Sequence, residues 1–401
     1  MIKKSLFVLA GLLMAGVVAK AQSNDYNVIN TAVPSMIIAP DARSAGMGDL
    51  GVSTSPDVYS MHWNPAKYAF IEDDFSIGLG YTPWLRKLVP DMNIAYLAVS
   101  KRVSSRSTIA GTLRYFNLGD INFRGEENQD LGTYRPNEFA IDICYSRKFG
   151  DYWSAAVAGR YIRSDLTQGV GNYSKAGWSV AADIAVYYKR PVNLGTVDGD
   201  FSWGIAITNM GSKVDYGNGK TEFIPTNLRL GPTLKINIDE FNSLAFSIDL
   251  NKLLVPTPPI YATDSVGQPI PDGHGGYVIL KGMDDDVSMI QGMFQSFYDA
   301  PDGFSEEMKE ITVSIGAEYT YNKVFSVRTG FFHESKMKGN RRYLTFGAGL
   351  RYNVLALDVS YLVPVNNTAN SGTNPLEGTL RFSLAFNINK WDKNTKLERV
   401  D

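Results

Sequence analysis

Cysteine is all but missing from this chain: Cys144 is the only one in 401 residues. That excludes an intramolecular disulfide and any metal centre built on several thiolates. Histidine is nearly as scarce, and His62, His274 and His333 show no metal-ligand pair spacing. Beyond the N-terminus no eighteen apolar residues follow one another, so no helix is expected to cross a membrane. An excess of positive charge is absent too. With 39 basic against 41 acidic residues, nucleic acid is not an expected partner.

What the N-terminus does have is the layout of a secretory signal peptide. Lys3 and Lys4 precede an apolar run from Leu6 to Val18, and Ala19-Lys20-Ala21 gives the small-x-small pattern of a cleavage site between Ala21 and Gln22. No cysteine comes after the cut to take a lipid anchor. Losing Lys3, Lys4 and Lys20 leaves 36 bases against 41 acids, a mature chain of net charge about −5.

Aromatics and glycine are abundant, with 22 tyrosines and 37 glycines. Period-two alternation is strong: in "TLRFSLAFNIN", Leu380, Phe382, Leu384, Phe386 and Ile388 take one face, and Arg381, Ser383, Ala385 and Asn387 the other. "FAIDICYS" and "WSVAADIAVYY" place Asp142 and Asp183 on such a polar face, and Arg114, Asp249 and Asp358 share the same parity. Alternation fits either a sandwich with a buried apolar face or a membrane barrel with an outward one. Connection lengths separate the two. About fourteen strands are expected, starting near residue 75 and ending near 389, with short turns after the even ones and long polar loops after the odd ones. The one longer turn is "RPVNLGTVDGD".

Short turns on one side and long loops on the other is the pattern of a bacterial outer-membrane barrel with periplasmic turns, and an even count puts both ends in the periplasm. The expected fold is therefore all-β: a transmembrane antiparallel β-barrel over 75–389, with a long extracellular loop at 252–309 and a periplasmic tail at 390–401. Tyr81, Trp84, Trp153, Tyr188, Tyr319, Tyr321 and Tyr352 near strand ends suit interfacial girdles.

Residues 22–74 precede the first strand. They contain "GMGDLG" at 46–51, a literal dinucleotide-binding fingerprint, but no buried strand feeds it, and Pro56 and Pro65 interrupt the place where its helix would have to run. No cofactor is expected there. A fourteen-stranded lumen is too wide for its own side chains to fill, so this segment is expected to plug it. Gly46, Gly48 and Gly51 would allow close backbone approach to the wall, with Asn64-Pro65 fixing a turn before strand one.

The stretch "DARSAGMGDLGVSTSPDVYSMHWNPAKYAF", with Arg43, Gly46-Met47-Gly48 and Trp63-Asn64-Pro65, resembles the N-terminal segment of the PorV family. These are FadL-like outer-membrane barrels of the type IX secretion system, and signal peptide, length and strand count agree over essentially the whole chain. The resemblance implies a non-enzymatic component that binds the C-terminal signal domain of secreted cargo. It would take cargo from the translocon pore and deliver it to a surface sortase and attachment complex, in contact with outer-membrane lipid and lipopolysaccharide. The alternatives are FadL-like uptake of hydrophobic small molecules and lipopolysaccharide deacylation. The chain departs from the simplest barrel pattern in running on through "KWDKNTKLERVD" and in its long loop.

That loop carries a helix candidate with Val287, Ile290, Phe294 and Phe297 on one face, and Met283, Met289 and Met293 adding adaptable apolar surface. These seven residues are the expected partner contacts, against the plainer reading of a helix packed on the barrel rim. Asp284 to Asp286 lack the alternating spacing and glycine of a calcium loop, so no metal is expected. Catalysis finds little support. "GWSVA" at 177–181 would place Ser179 inside a strand rather than on a nucleophile elbow.

Overall fold

The computed structural model describes residues 26–87, 89–124, 128–167, 175–195, 197–365 and 375–389. The cleavage site at Ala21 and Gln22 and the tail at 390–401 lie outside them. Fourteen strands make one closed antiparallel barrel. They are β1 (Phe75–Pro83), β2 (Asn93–Ser104), β3 (Ser107–Asn117), β4 (Asn137–Phe149), β5 (Trp153–Asp165), β6 (Gly177–Asn193), β7 (Asp198–Gly211), β8 (Asn227–Asn237), β9 (Asn242–Leu253), β10 (Thr312–Tyr321), β11 (Phe325–His333), β12 (Arg342–Tyr352), β13 (Leu355–Pro364) and β14 (Leu380–Ile388). Each pairs with its neighbours in sequence, and β1 closes on β14 from Phe75↔Ile388 to Tyr81↔Phe382.

The burial pattern decides between sandwich and barrel. Leu380 and Phe382 are exposed while Arg381 and Ser383 are buried; Ile141, Ile143 and Tyr145 are exposed while Asp142 and Ser146 are buried. Water would reward the opposite arrangement. An apolar outside around a polar inside requires lipid as the surrounding solvent. At the short-turn end Trp153 packs against Tyr188 and Trp203, with ring centroids 4.8 and 5.4 Å away, as an interfacial girdle would. Trp84 does not join a girdle. It lines an internal cavity, with the Arg381 guanidinium 5.8 Å from its ring centroid.

Two other expectations change. The segment "RPVNLGTVDGD" is not a long turn, because β6 runs on to Asn193 and pairs with β7 down to Asn193↔Asp198. Nor does the N-terminal segment stay at the short-turn end. The Asn27 amide donates to Met337 O at 3.0 Å and the Ala32 amide to Phe223 O at 2.8 Å, both on long loops. From there the chain descends the lumen and reaches β1 at the opposite end.

Candidate functional site: a filled lumen and a long loop

Inside the barrel the N-terminal segment folds into short turns fixed by side chains. Helix α1 (Ala42–Ala45) is capped by Asp41, whose carboxylate accepts from the Ser44 amide at 2.8 Å and from Trp63 Nε1 at 2.7 Å. Helix α2 (Ser60–Trp63) ends at Asn64, whose side chain caps the 3-10 turn Pro65–Phe70 by accepting from the Ala66 amide at 3.0 Å. Pro65 at the first position of that turn has no amide proton to leave unsatisfied.

Glycines meet glycines where the segment touches the wall. A Cβ on Gly46 would lie 3.0 Å from Gly347 Cα, and one on Gly48, at φ +81°, would lie 2.9 Å from Phe331 N and O. Gly330 has Met47 and Gly48 backbone closer still, and Gly51 lies against the Trp63 ring. The amides a nucleotide would need are already used: Gly48 donates to Thr345 Oγ1 at 2.8 Å, and Gly51 and Val52 donate to Asp249 Oδ2 at 2.7 and 2.9 Å.

Charge completes the join. Arg43 pairs with Glu318 and Asp57, each at 2.9 Å, Arg381 pairs with Asp49 at 3.0 Å, and Arg328 pairs with both Glu318 and Asp358 at 2.6 Å. Arg160 pairs with Asp142 and Asp183 on neighbouring strands. His62 lies between Arg114 and Arg229, its Nδ1 2.9 Å from Arg114 Nη2. Among the described residues one cavity of ≈ 670 Å³ lies at the short-turn end, lined by Asp57, Lys235, Asn242 and Lys323 among others, and another of ≈ 410 Å³ at the long-loop end.

The loop between β9 and β10, residues 254–311, is held down by a buried ionic cluster. Lys252 pairs with Glu307 at 3.0 Å and Glu310 at 2.6 Å; Lys338, from the β11–β12 loop, pairs with Glu306 at 2.6 Å and Glu310 at 2.9 Å. Lys252 continues the outward parity of Phe246, Ile248 and Leu250, so it would meet lipid if the loop did not cover it. Asn27 Nδ2 joins the cluster, donating to Glu306 Oε1 at 2.9 Å. Burial pushes the Asp299 carboxyl up to about 6, with Glu307 and Glu310 adding to the effect. For Glu310 burial works in the same direction, but Lys252, through charge and hydrogen bond, reverses it and holds that carboxyl below its ordinary value.

Above this cluster helix α3 (Met289–Gln295) and helix α4 (Phe304–Glu307) present an apolar surface. Ile290 is 64% exposed, Phe294 68% and Phe304 78%. Met283 and Phe297 are exposed as well, whereas Val287, Met289 and Met293 are half-buried. Tyr298 and Met308 extend the exposed face. Gly292 explains the buried side: it packs on Phe223 and Pro256, seating α3 on the β7–β8 loop, where Lys213 also pairs with Asp286 at 3.0 Å. Ser179 lies in β6 and donates to Ser212 O at 2.7 Å.

No curated protein sequence matches this chain. Among solved structures it is similar to the Pseudomonas putida toluene transporter TodX at 12% identity, covering 91% of this chain and 100% of that one with a TM-score of 0.46. It is similar to the Ralstonia pickettii toluene transporter TbuX at 12% identity, covering 88% and 98%, TM-score 0.42. A Pseudomonas aeruginosa FadL homologue matches at 10% identity, covering 90% and 98%, TM-score 0.38. The family model described as type IX secretion system protein PorV matches residues 20–260, well over half of the chain. With that match over the N-terminal segment and the first strands of a fourteen-stranded lipid-facing barrel, the chain belongs to the PorV family and is an outer-membrane protein of the type IX secretion system.

Proposed function

We propose that this barrel is a non-enzymatic adaptor held in the outer membrane, which binds the C-terminal signal domain of secreted cargo at its long-loop end. It takes that cargo from the translocon pore and delivers it to the surface sortase and attachment complex. In this reading the short turns face the periplasm and the long loops the cell exterior. The segment at 26–74 is a fixed plug, and the lumen is support rather than conduit.

The observation that carries the reading is the face made by Ile290, Phe294, Tyr298 and Phe304. Each is more than 60% exposed on a loop that a buried ionic cluster holds in place. Apolar surface left in water costs roughly 25 cal/mol per Å², and a contiguous exposed patch on an ordered loop marks a partner site. Changing Ile290, Phe294 and Tyr298 together to serine removes the face while leaving Lys252, Lys338 and the glutamates intact. The variant should assemble as a heat-modifiable barrel while cargo accumulates unprocessed in the cell. Wild-type amounts of cargo on the surface of cells carrying only this variant would refute the assignment.

A further inference from the structure

The ≈ 410 Å³ cavity at the long-loop end is within the roughly 300–1,000 Å³ of sites that enclose a small ligand or a short peptide. Its lining includes four cations and three acids. Each acid is already paired: Asp49 with Arg381 at 3.0 Å, Glu334 with Arg341 at 2.7 Å and Glu310 with Lys338 at 2.9 Å. Arg229 is left over. Its side chain is 4% exposed, and its guanidinium lies 5.0 Å from the Trp63 ring centroid, with one terminal nitrogen donating to His62 O and the other facing His62 Nε2. Among the described residues it makes no carboxylate contact and its Nε has no hydrogen-bond partner. Asp249, two residues along β9 from Asn251, and Asp183 act on it through charge without a salt bridge; Asp249 Oδ2 is committed to the plug amides, and its Oδ1 makes no hydrogen bond among the described residues. A buried cation held rigid, with a donor to spare, is a prepared anion site.

Its neighbours say what the anion is attached to. Asn251 is the direct cross-strand partner of Arg229, and Asn227 precedes it by two on the same inner face of β8. Neither amide side chain makes a hydrogen bond among the described residues. Two free amides beside a guanidinium match the C=O and N–H groups of a polypeptide, and would be left unsatisfied beside an alkyl chain. The remaining walls, including Ile37, Phe332, Leu362 and Leu376, are apolar and suit side chains.

We infer that this cavity receives the free C-terminal carboxylate and last few residues of a protein partner, with Arg229 binding the carboxylate and Asn227 and Asn251 the adjoining backbone. This rests on the adaptor reading, which brings a polypeptide to the long-loop end, and deepens it by fixing which part of the partner enters.

The test is calorimetric titration of the full-length protein in detergent with three probes: acetyl-Val-Leu-Val with a free carboxylate, the same peptide amidated, and laurate. The free acid should bind at least about tenfold more tightly than the amide, as expected for one charge-assisted pairing. Arg229→Gln should abolish that preference and Arg229→Lys should retain part of it, with heat-modifiability on gels reporting that both fold. Leu376→Trp, which fills the cavity without touching a charge, should weaken all three probes. Equal binding of acid and amide overturns the inference, as does laurate outcompeting the peptide with Asn251→Leu favouring it further. A photoreactive residue at position 294 separates the two readings. If cargo still crosslinks there while acid and amide bind alike, this site falls and the adaptor stands. If the acid binds through Arg229 while nothing crosslinks, the adaptor falls and the site stands.

Discussion

Alanine at Gly330 asks whether the N-terminal segment is fixed to the barrel wall. An added Cβ would lie 2.0 Å from the Met47 carbonyl carbon and 2.2 Å from the Gly48 amide nitrogen. Both are backbone atoms that cannot rotate aside, so the segment must withdraw by more than about an ångström before contact becomes ordinary. Overpacking of this kind costs about 1–3 kcal/mol. Withdrawal also strands the Gly48 amide, which donates to Thr345 Oγ1 at 2.8 Å, and an unsatisfied buried donor costs about 1–3 kcal/mol more. At roughly 1.4 kcal/mol per tenfold, the docked state loses some thirtyfold to about twenty-thousandfold in population. The strand itself is unstrained, since alanine fits β geometry, so the barrel should still assemble. Limited proteolysis in detergent should then cut the variant between residues 46 and 57 while the wild type stays protected. Gly48→Ala should be worse, because its φ of +81° adds about 1–2 kcal/mol for a residue with a Cβ. Wild-type protection and an unchanged heat-modification midpoint in Gly330→Ala would refute the fixed plug.

Epitope tags inserted at Gly267 and Asn218 should be reached by antibody on intact cells, and so should one placed before Tyr26, because Asn27 is bonded to two long loops; labelling only after the membrane is broken would overturn the orientation. The raised Asp299 carboxyl contributes stability that is present below its unfolded value near 4 and lost as pH rises through about 6. Protease resistance of residues 254–311 should therefore fall between about pH 4 and pH 6, and Asp299→Asn should flatten the profile; the same slope in the variant sinks this assignment. Lys338→Met leaves Glu306 and Glu310 short of a cation in a buried site, at a cost of about 3–5 kcal/mol, and should speed hydrogen exchange over residues 299–310. Unchanged exchange there would mean the loop is held by something else.

The barrel was legible because its physics is local. Leu380, Phe382 and Leu384 alternate with Arg381 and Ser383, a period that a strand cannot hide, and turn lengths give the topology. Arg229 was within reach of the same reasoning, since it alternates with Leu228 and Leu230 on β8. What the sequence could not give is partnership across long separations. Lys252 carries the parity of a lipid-facing residue, and only the fold of a loop more than fifty residues on, bringing Glu307 and Glu310, reverses that. The helix on the long loop shows the same limit. Periodicity found α3 but not its tilt, which Gly292 sets by packing on Phe223, turning Met289 and Met293 partly inward and Ile290 and Phe294 outward.

The path of the N-terminal segment is set by the charges on the wall. Asp249, Glu318 and Arg381 project from β9, β10 and β14 into a space closed to lipid, where an unpaired charge is costly. Their partners come from one short stretch: Gly51 and Val52 amides for Asp249, Arg43 for Glu318, Asp49 for Arg381. Residues 43–52 thus answer strands on one side of the barrel, while Asn64 donates to Val186 O on β6 at 3.0 Å and Ser146 and Ser154, on β4 and β5, donate to Ala66 O, on the other side. A segment tied to both sides cannot leave without exposing both sets of groups at once. Wall and segment therefore form one cooperative unit, in which the barrel's inner charges are stable only when the segment is docked.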